Sequence, residues 1–265
     1  MLIGFIKLVF RNIIKNKGYS FLNILGLSIG MASSLLVFFF IRHELSYDGF
    51  FKNRDNIYRV LSINDFNGEK VTSGLTVAPL ADLLKQNFPE ILEAGHLIYS
   101  NGGPVKTNDH LFNEDYFCFI DPSFFKIFSF TFLKGDPIAA FKDPWSVVIS
   151  QNISKKYFGD RNPIGKILNL GNKINLKVTG ILKKEENSHI QLNIVASDYI
   201  YREFGGKLHN WVRNNSSTYV LLKKGVDPEK IKKRINIFFK SGALSNQQFL
   251  IDFQPLKRIY LYSNF

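Results

Sequence analysis

The stretch Tyr19–Ile41, YSFLNILGLSIGMASSLLVFFFI, contains no charged residue. As a helix rising ~1.5 Å per residue it would extend about 34 Å, enough to cross a hydrocarbon layer about 30 Å thick. Thirteen of its residues are Leu, Ile, Val or Phe. At roughly −0.3 to −0.6 kcal/mol each they favour insertion by about −4 to −8 kcal/mol, more than Asn23 costs near one end. A secretory leader would have an apolar core of about 7–15 residues followed by a small-residue cleavage site. Here Ala32, Ser33 and Ser34 lie inside the run and seven more apolar residues follow. The pattern predicts a retained transmembrane helix over residues 19–43.

The flanks orient it. Lys7, Arg11, Lys15 and Lys17 precede the run with no acid among them, whereas Arg42 is followed by Glu44 and Asp48. Basic residues close to a span favour the cytoplasmic side, so the N-terminus is expected inside and residues 44–265 outside. Lys7, Arg11 and Lys15 are four apart, and Ile3, Phe5, Ile6, Leu8, Val9, Phe10, Ile13 and Ile14 fill the remaining face. Residues 1–18 therefore read as a basic amphipathic helix in the cytoplasmic interface, broken at Asn16-Lys17-Gly18. Within the span Gly26 and Gly30 form a GxxxG, which Ser28/Ala32 and Gly30/Ser34 extend. Small residues let a second helix approach closely in lipid, so this stripe is expected to pack against another span or a second copy.

The 265 residues carry 34 Lys and Arg against 22 Asp and Glu, a net charge of +12. Residues 1–43 hold five basic and no acidic side chains, so much of the excess is an orientation signal. There is no dense basic patch and no nucleic-acid reading module. One cysteine, Cys118, excludes an internal disulfide framework and any zinc site built on several thiolates.

Beyond the span short strands and helices mix. The helix is expected to continue through Arg42–Tyr47. IYRVLSINDF (Ile57–Phe66) reads as a strand turning at Asn67-Gly68 into a hairpin. Thr76 is expected to cap a helix with Pro79 in its first turn, ending at Phe88. Strands are expected near Ala94–Tyr99 and Tyr116–Ile120, then a helical turn from Pro122 to Phe128 and a strand over Trp145–Ile149. Ser150 should cap a helix that stops at Gly159. Further strands are expected at Ile167–Leu170, Ile174–Leu182, Ile190–Ala196, Ser217–Lys223 and Phe249–Leu261. A helix from Asp227-Pro228-Glu229 to Phe239 lies among them. Without regular βαβ alternation the class is α+β.

No residue pattern carries catalysis. Gly159–Lys166, GDRNPIGK, has five residues between its glycines, Ile167 where a magnesium-binding Ser or Thr would stand, and a helix before it. It reads as a turn, not a phosphate loop. His43, His96, His110, His189 and His209 have no metal-ligand spacing. Ser188 and His189, as neighbours in a strand, should face opposite ways. Cys118 between Phe117 and Phe119 reads as a small buried hydrophobe. No catalytic, cofactor or metal site is assigned.

Several stretches together resemble the MacB/FtsX-type ABC transporter permeases, especially the long forms frequent in Bacteroidetes. They are FIKLVFRNIIKNKGYSFLNILGLSIGMASSLLVFFFIRHELSYDGF, NIYRV, VAPLADLLKQNFPEI, FCFIDPSFFKIFSFTFLKGDPIAAFKDPWSVVIS, KKYFGDRNPIGKIL, VTGIL, NSHI and QPLKRIYLYS. The resemblance implies an amphipathic helix, a first span, a periplasmic core domain of two subdomains, and three more spans. It places residues 45–115 and 216–265 in a porter-like part and 116–215 in an inserted part. It also implies a cytoplasmic ABC ATPase partner, a second permease copy or half, the bacterial inner membrane, and export of peptide, antibiotic or lipoprotein cargo. The reading frame is accordingly expected to continue past Phe265 into at least three more apolar runs. The competing reading is a single-pass, membrane-anchored periplasmic binding or assembly protein. An anchored hydrolase would need a nucleophile or metal constellation that the sequence lacks.

Overall fold

The computed structural model describes residues 2–66, 69–208, 211, 214–241 and 250–263. The Asn67-Gly68 turn and His209 lie outside them. Two compact units emerge, Met1–Ser46 and Tyr47–Phe265.

The first unit is helical. Helix α1 spans Leu2–Lys15 and α2 spans Lys17–Glu44. The break is narrower than Asn16–Gly18, because α2 restarts at Lys17. Among the described residues α2 is the one helix long and apolar enough to cross a membrane, and none of its residues is buried. It stops at Glu44, where Leu45 caps it, so the expected continuation through Tyr47 is wrong. Turns follow, and Asp48 has a positive φ of 56° that no helix accommodates.

The second unit holds β1 (Ile57–Phe66), β2 (Glu69–Ser73), α3 (Leu80–Asn87), β3 (Ile91–Lys106), β4 (Leu111–Ile120) and α4 (Phe124–Ile127). Then come β5 (Phe132–Lys134), β6 (Ser146–Ser150), α5 (Gln151–Phe158), β7 (Ile167–Leu170), β8 (Ile174–Leu182), β9 (Ile194–Ser197) and α6 (Asp198–Tyr201). A 3-10 turn at Arg202–Phe204, β10 (Ser217–Leu222), α7 (Pro228–Ser241), β11 (Leu250–Pro255) and α8 (Leu256–Ile259) complete it. The eleven strands among the described residues form one sheet in the order β11-β1-β10-β3-β4-β9-β6-β8-β5, with β2 on β1 and β7 on β3 and β8. Pairings are antiparallel except β4 with β9 and β6 with β8.

Alternation along the strands assigns the cores. In β10, Tyr219 and Leu221 enter one apolar cluster with Phe51, Phe124, Phe128 and Leu256, while Val220 and Leu222 enter another under α3 and α7. In β4, Cys118 and Ile120 join the first cluster, and Phe117 and Phe119 a third beneath α5 and α6. Both faces of the central strands are thus covered, which is why SVVIS in β6 is buried at every position.

Four expectations need correction. Thr76 caps nothing: it is fully buried, its N–H bonds Ser216 O at 2.7 Å, and its hydroxyl meets that of Thr218 at 2.7 Å. The strand in Ile190–Ala196 is confined to β9, because Ile190–Asn193 is taken up by a loop. The C-terminal stretch is strand only to Pro255, whose backbone sets up α8. Trp145 lies just before β6. Ser150 does cap α5, accepting from Ile153 N–H at 3.3 Å, and Asp227 accepts from Glu229 N–H at 2.9 Å ahead of α7.

Candidate functional site

The site begins with Asp48, the second residue of the second unit. Its carboxylate is 2% exposed, and its N–H donates to Asn187 O at 2.8 Å. His189 Nδ1 donates to Oδ2 at 2.7 Å, while the His189 backbone N–H and the Ser188 hydroxyl reach Oδ1 at 3.2 and 3.4 Å. On the far side of the imidazole, Nε2 meets the Tyr219 hydroxyl at 3.0 Å. Burial pushes the Tyr219 phenol up, with the neighbouring Arg59 guanidinium opposing the rise. Burial also lowers Arg59 from its ordinary value. Arg59 in turn reaches Gln254 Oε1 at 3.1 Å from Nε and 2.6 Å from Nη2, and Ser263 Oγ at 2.7 Å. A polar chain therefore runs from Asp48 through the loop before β9, across β10 and β1, to β11 and the segment after α8. Each link satisfies a group that would otherwise be buried unpaired.

Aromatic packing seats the same segment. The ring of Phe51, 2% exposed, lies 4.9 Å from Phe128 and 5.0 Å from Phe130, both edge-on. Such pairs contribute about 0.5–1.5 kcal/mol each beyond the area they bury. Tyr47 stacks on Tyr260 at 3.5 Å, and Lys257 Nζ meets Asp55 at 2.8 Å. That hydrogen bond holds the Asp55 carboxyl below its usual range. Lys52 N–H donates to Ser129 Oγ at 2.9 Å.

Ser188 and His189 do not face opposite ways, because they lie in a loop and both turn to Asp48. They still form no catalytic triad. In a triad the imidazole stands between hydroxyl and carboxylate; here the carboxylate stands between hydroxyl and imidazole, and Nε2 is taken by a buried tyrosine. The arrangement is a clamp. Among the described residues no group of three or more His, Cys, Asp and Glu is placed to hold a metal ion. GDRNPIGK is a turn, with Gly165 at φ 82°. Cys118 is buried and raised from its ordinary pKa by that burial.

The residues singled out from sequence lie elsewhere. Gly26, Ser28, Gly30, Ala32 and Ser34 are exposed on α2, with nothing within 4 Å of where a Cβ on either glycine would sit. Ser34 returns its hydroxyl to Gly30 O at 2.9 Å. Lys7, Arg11, Lys15 and Lys17 are exposed. Sequence reasoning missed Asp48, Tyr219, Arg59 and Gln254. The available signal was that SYDGF, NSHI and QPLKRIYLYS, far apart in the chain, all carry the family resemblance, and the structure brings all three together.

A family model for the MacB-like periplasmic core domain matches residues 20–237. The chain belongs to this family. The MacB-like core domain is a component of ABC transporter permeases, not a classical enzyme. Solved structures share the fold. A domain of a protein described as a permease from Porphyromonas gingivalis matches with TM-score 0.65 at 18% identity, covering 77% of this chain and 91% of its own. The periplasmic region of MacB from Actinobacillus actinomycetemcomitans matches at 0.55 and 15%, covering 74% and 88%. The extracellular domain of the noncanonical ABC-type transporter YknZ from Gram-positive bacteria matches at 0.55 and 12%, covering 74% and 100%. No curated protein matches the sequence. The match to the MacB-like core domain takes in most of α2, the apolar helix of spanning length.

Proposed function

We infer that this chain is the N-terminal part of a permease subunit in a MacB/FtsX-type ABC transporter, with residues 1–18 cytoplasmic and the core domain in the periplasm. The observation that carries the reading is the fastening of Tyr47–Asp55, the first residues of the outer domain, into the sheet by buried polar and aromatic contacts. Motion that reaches this segment would be delivered to β10, an interior strand. Force comes from an ATPase partner of the kind the family uses, for which α1 with Lys7, Arg11 and Lys15 is the contact. The exposed Gly26/Gly30 stripe packs against another span or a second copy. The sheet order supports a two-part core: β1, β2, β3, β10 and β11 draw on residues 45–115 and 216–265, β5 to β9 on 116–215, and β4 crosses from one to the other. Cargo is peptide, antibiotic or lipoprotein.

The test is co-purification from native membranes of the source organism, with the chain tagged at its C-terminus. An ATPase subunit should accompany it and be lost on K7E/R11E/K15E. Recovery with no ATPase, together with activity of a cytoplasm-only reporter fused after Phe265, would overturn the reading. No ATPase combined with a periplasmic reporter would favour the single-pass binding protein.

A further inference from the structure

Two adjoining cavities, of about 270 and 610 Å³, open beside the turn that joins β3 to β4 and share Thr107, Asn108 and Ile167. The larger falls within the range of about 300–1,000 Å³ seen for ligand sites, and the smaller just below it. The lining is unusual in its chemistry. Asn108, Asn169, Asn172 and Asn175 contribute side-chain amides, and Lys106, Arg161 and Lys166 contribute cations. The one carboxylate in the lining, Asp109, is held by Arg161 Nη2 at 2.7 Å. Asn169 Nδ2 donates to Asn175 Oδ1 at 2.8 Å, which fixes the plane of Asn169. Its Oδ1 is buried yet has no partner among the described residues. Asn172, at φ 56°, tops the β7–β8 turn beside Gly171.

We propose that this cleft binds an acidic oligosaccharide, a polyhydroxylated chain carrying carboxylate or a similar anion. An amide offers two donors and an accepting oxygen, which suits hydroxyl groups that both donate and accept. The lysines match the anionic substituents, and Ile167, half exposed between the two cavities, provides an apolar platform for the ring carbons. A peptide is a poorer fit. β7 is paired to β8 throughout and to β3 at Asn169 and Leu170, which leaves only Ile167 and Leu168 as an edge, too short for an extended chain to join as a strand.

The probe is tetragalacturonic acid, titrated calorimetrically into the full chain in detergent, with neutral maltotetraose and tetraglutamate as comparators. Tetragalacturonate should bind at least tenfold more tightly than either comparator. N169A/N175A and, separately, K166E should each weaken it at least tenfold, whereas K224E should leave it unchanged. Lys166 is exposed, so its substitution leaves the fold intact and keeps the test decisive. Absence of tetragalacturonate binding, equal binding of tetraglutamate or of maltotetraose, or indifference to N169A/N175A and K166E would each overturn the proposal.

Discussion

Replacing His189 by Ala removes the partner of a carboxylate that is 2% exposed, at the end of a 2.7 Å bond. It also strands the Tyr219 hydroxyl, 3.0 Å from the lost Nε2 in a buried site. Leaving a buried carboxylate short of a partner costs about 3–5 kcal/mol, toward the lower end here because the Ser188 hydroxyl and the residue-189 N–H stay on Oδ1. For a domain of this size each kcal/mol lowers the melting temperature by about 2–4 °C, so H189A should melt roughly 6–20 °C below the parent. D48A/H189A supplies the diagnostic. With both partners gone no charge is left buried, so the double variant should cost less than the two single variants added together. The coupling energy in the cycle should be about 2–3 kcal/mol. The assay is unfolding of the full chain in detergent, followed by near-ultraviolet circular dichroism across parent, D48A, H189A and D48A/H189A. An H189A cost below about 1 kcal/mol, or additivity within about 0.5 kcal/mol, would refute the clamp.

Cys118 and Tyr219 are buried with pKa values raised from ordinary values of 9.0 and 10.0. Folding therefore favours their protonated forms, and the stability this gives is full below the ordinary values and lost as pH rises above them. The unfolding free energy should decline from about pH 9, by up to about 1.4 kcal/mol per pH unit for each group, in pH-resolved denaturant titrations; a flat profile to pH 11 would contradict it. Iodoacetamide at pH 8 should leave Cys118 unlabelled in the native chain and label it in urea, as read by mass spectrometry. Ser150→Ala removes the cap of α5 and should cost about 1 kcal/mol, measured by the same melts. Gly102→Ala would place a Cβ 1.7 Å from Glu114 O, forcing β3 and β4 apart at a cost of about 1–3 kcal/mol; an unchanged melting temperature would show that the strands do not approach so closely.

What the sequence disclosed depended on the range of the determining interactions. The apolar run and β1 were legible because their signals are local: twenty-three uncharged residues in one case, a strongly patterned run before a turn in the other. Ser150 and Asp227 were legible as caps for the same reason. Thr76 looked equally like a cap, but Ser216 and Thr218, some 140 residues away, offered its polar groups better partners. QPLKRIYL is a short apolar run in which period alone does not separate strand from helix, and the turn into α8 went unseen. Asp48 and His189 each look unremarkable in sequence. Only the sheet brings residues 141 apart into one buried bond, so the candidate site was invisible to any reading of spacing.

The clamp also fixes an order of events during synthesis. Asp48 leaves the ribosome 141 residues before His189, a delay of about 7–30 s at 5–20 residues per second, and Tyr219 and Gln254 emerge later still. Through that interval the segment after the apolar helix has no buried partner to hold it, and the nascent chain must keep an unpaired carboxylate in water. The fastening of the Tyr47–Asp55 segment to the sheet is thus among the last to close. A chain truncated before Tyr219 would present the Tyr47–Asp55 segment without its polar partners in β10 and β11.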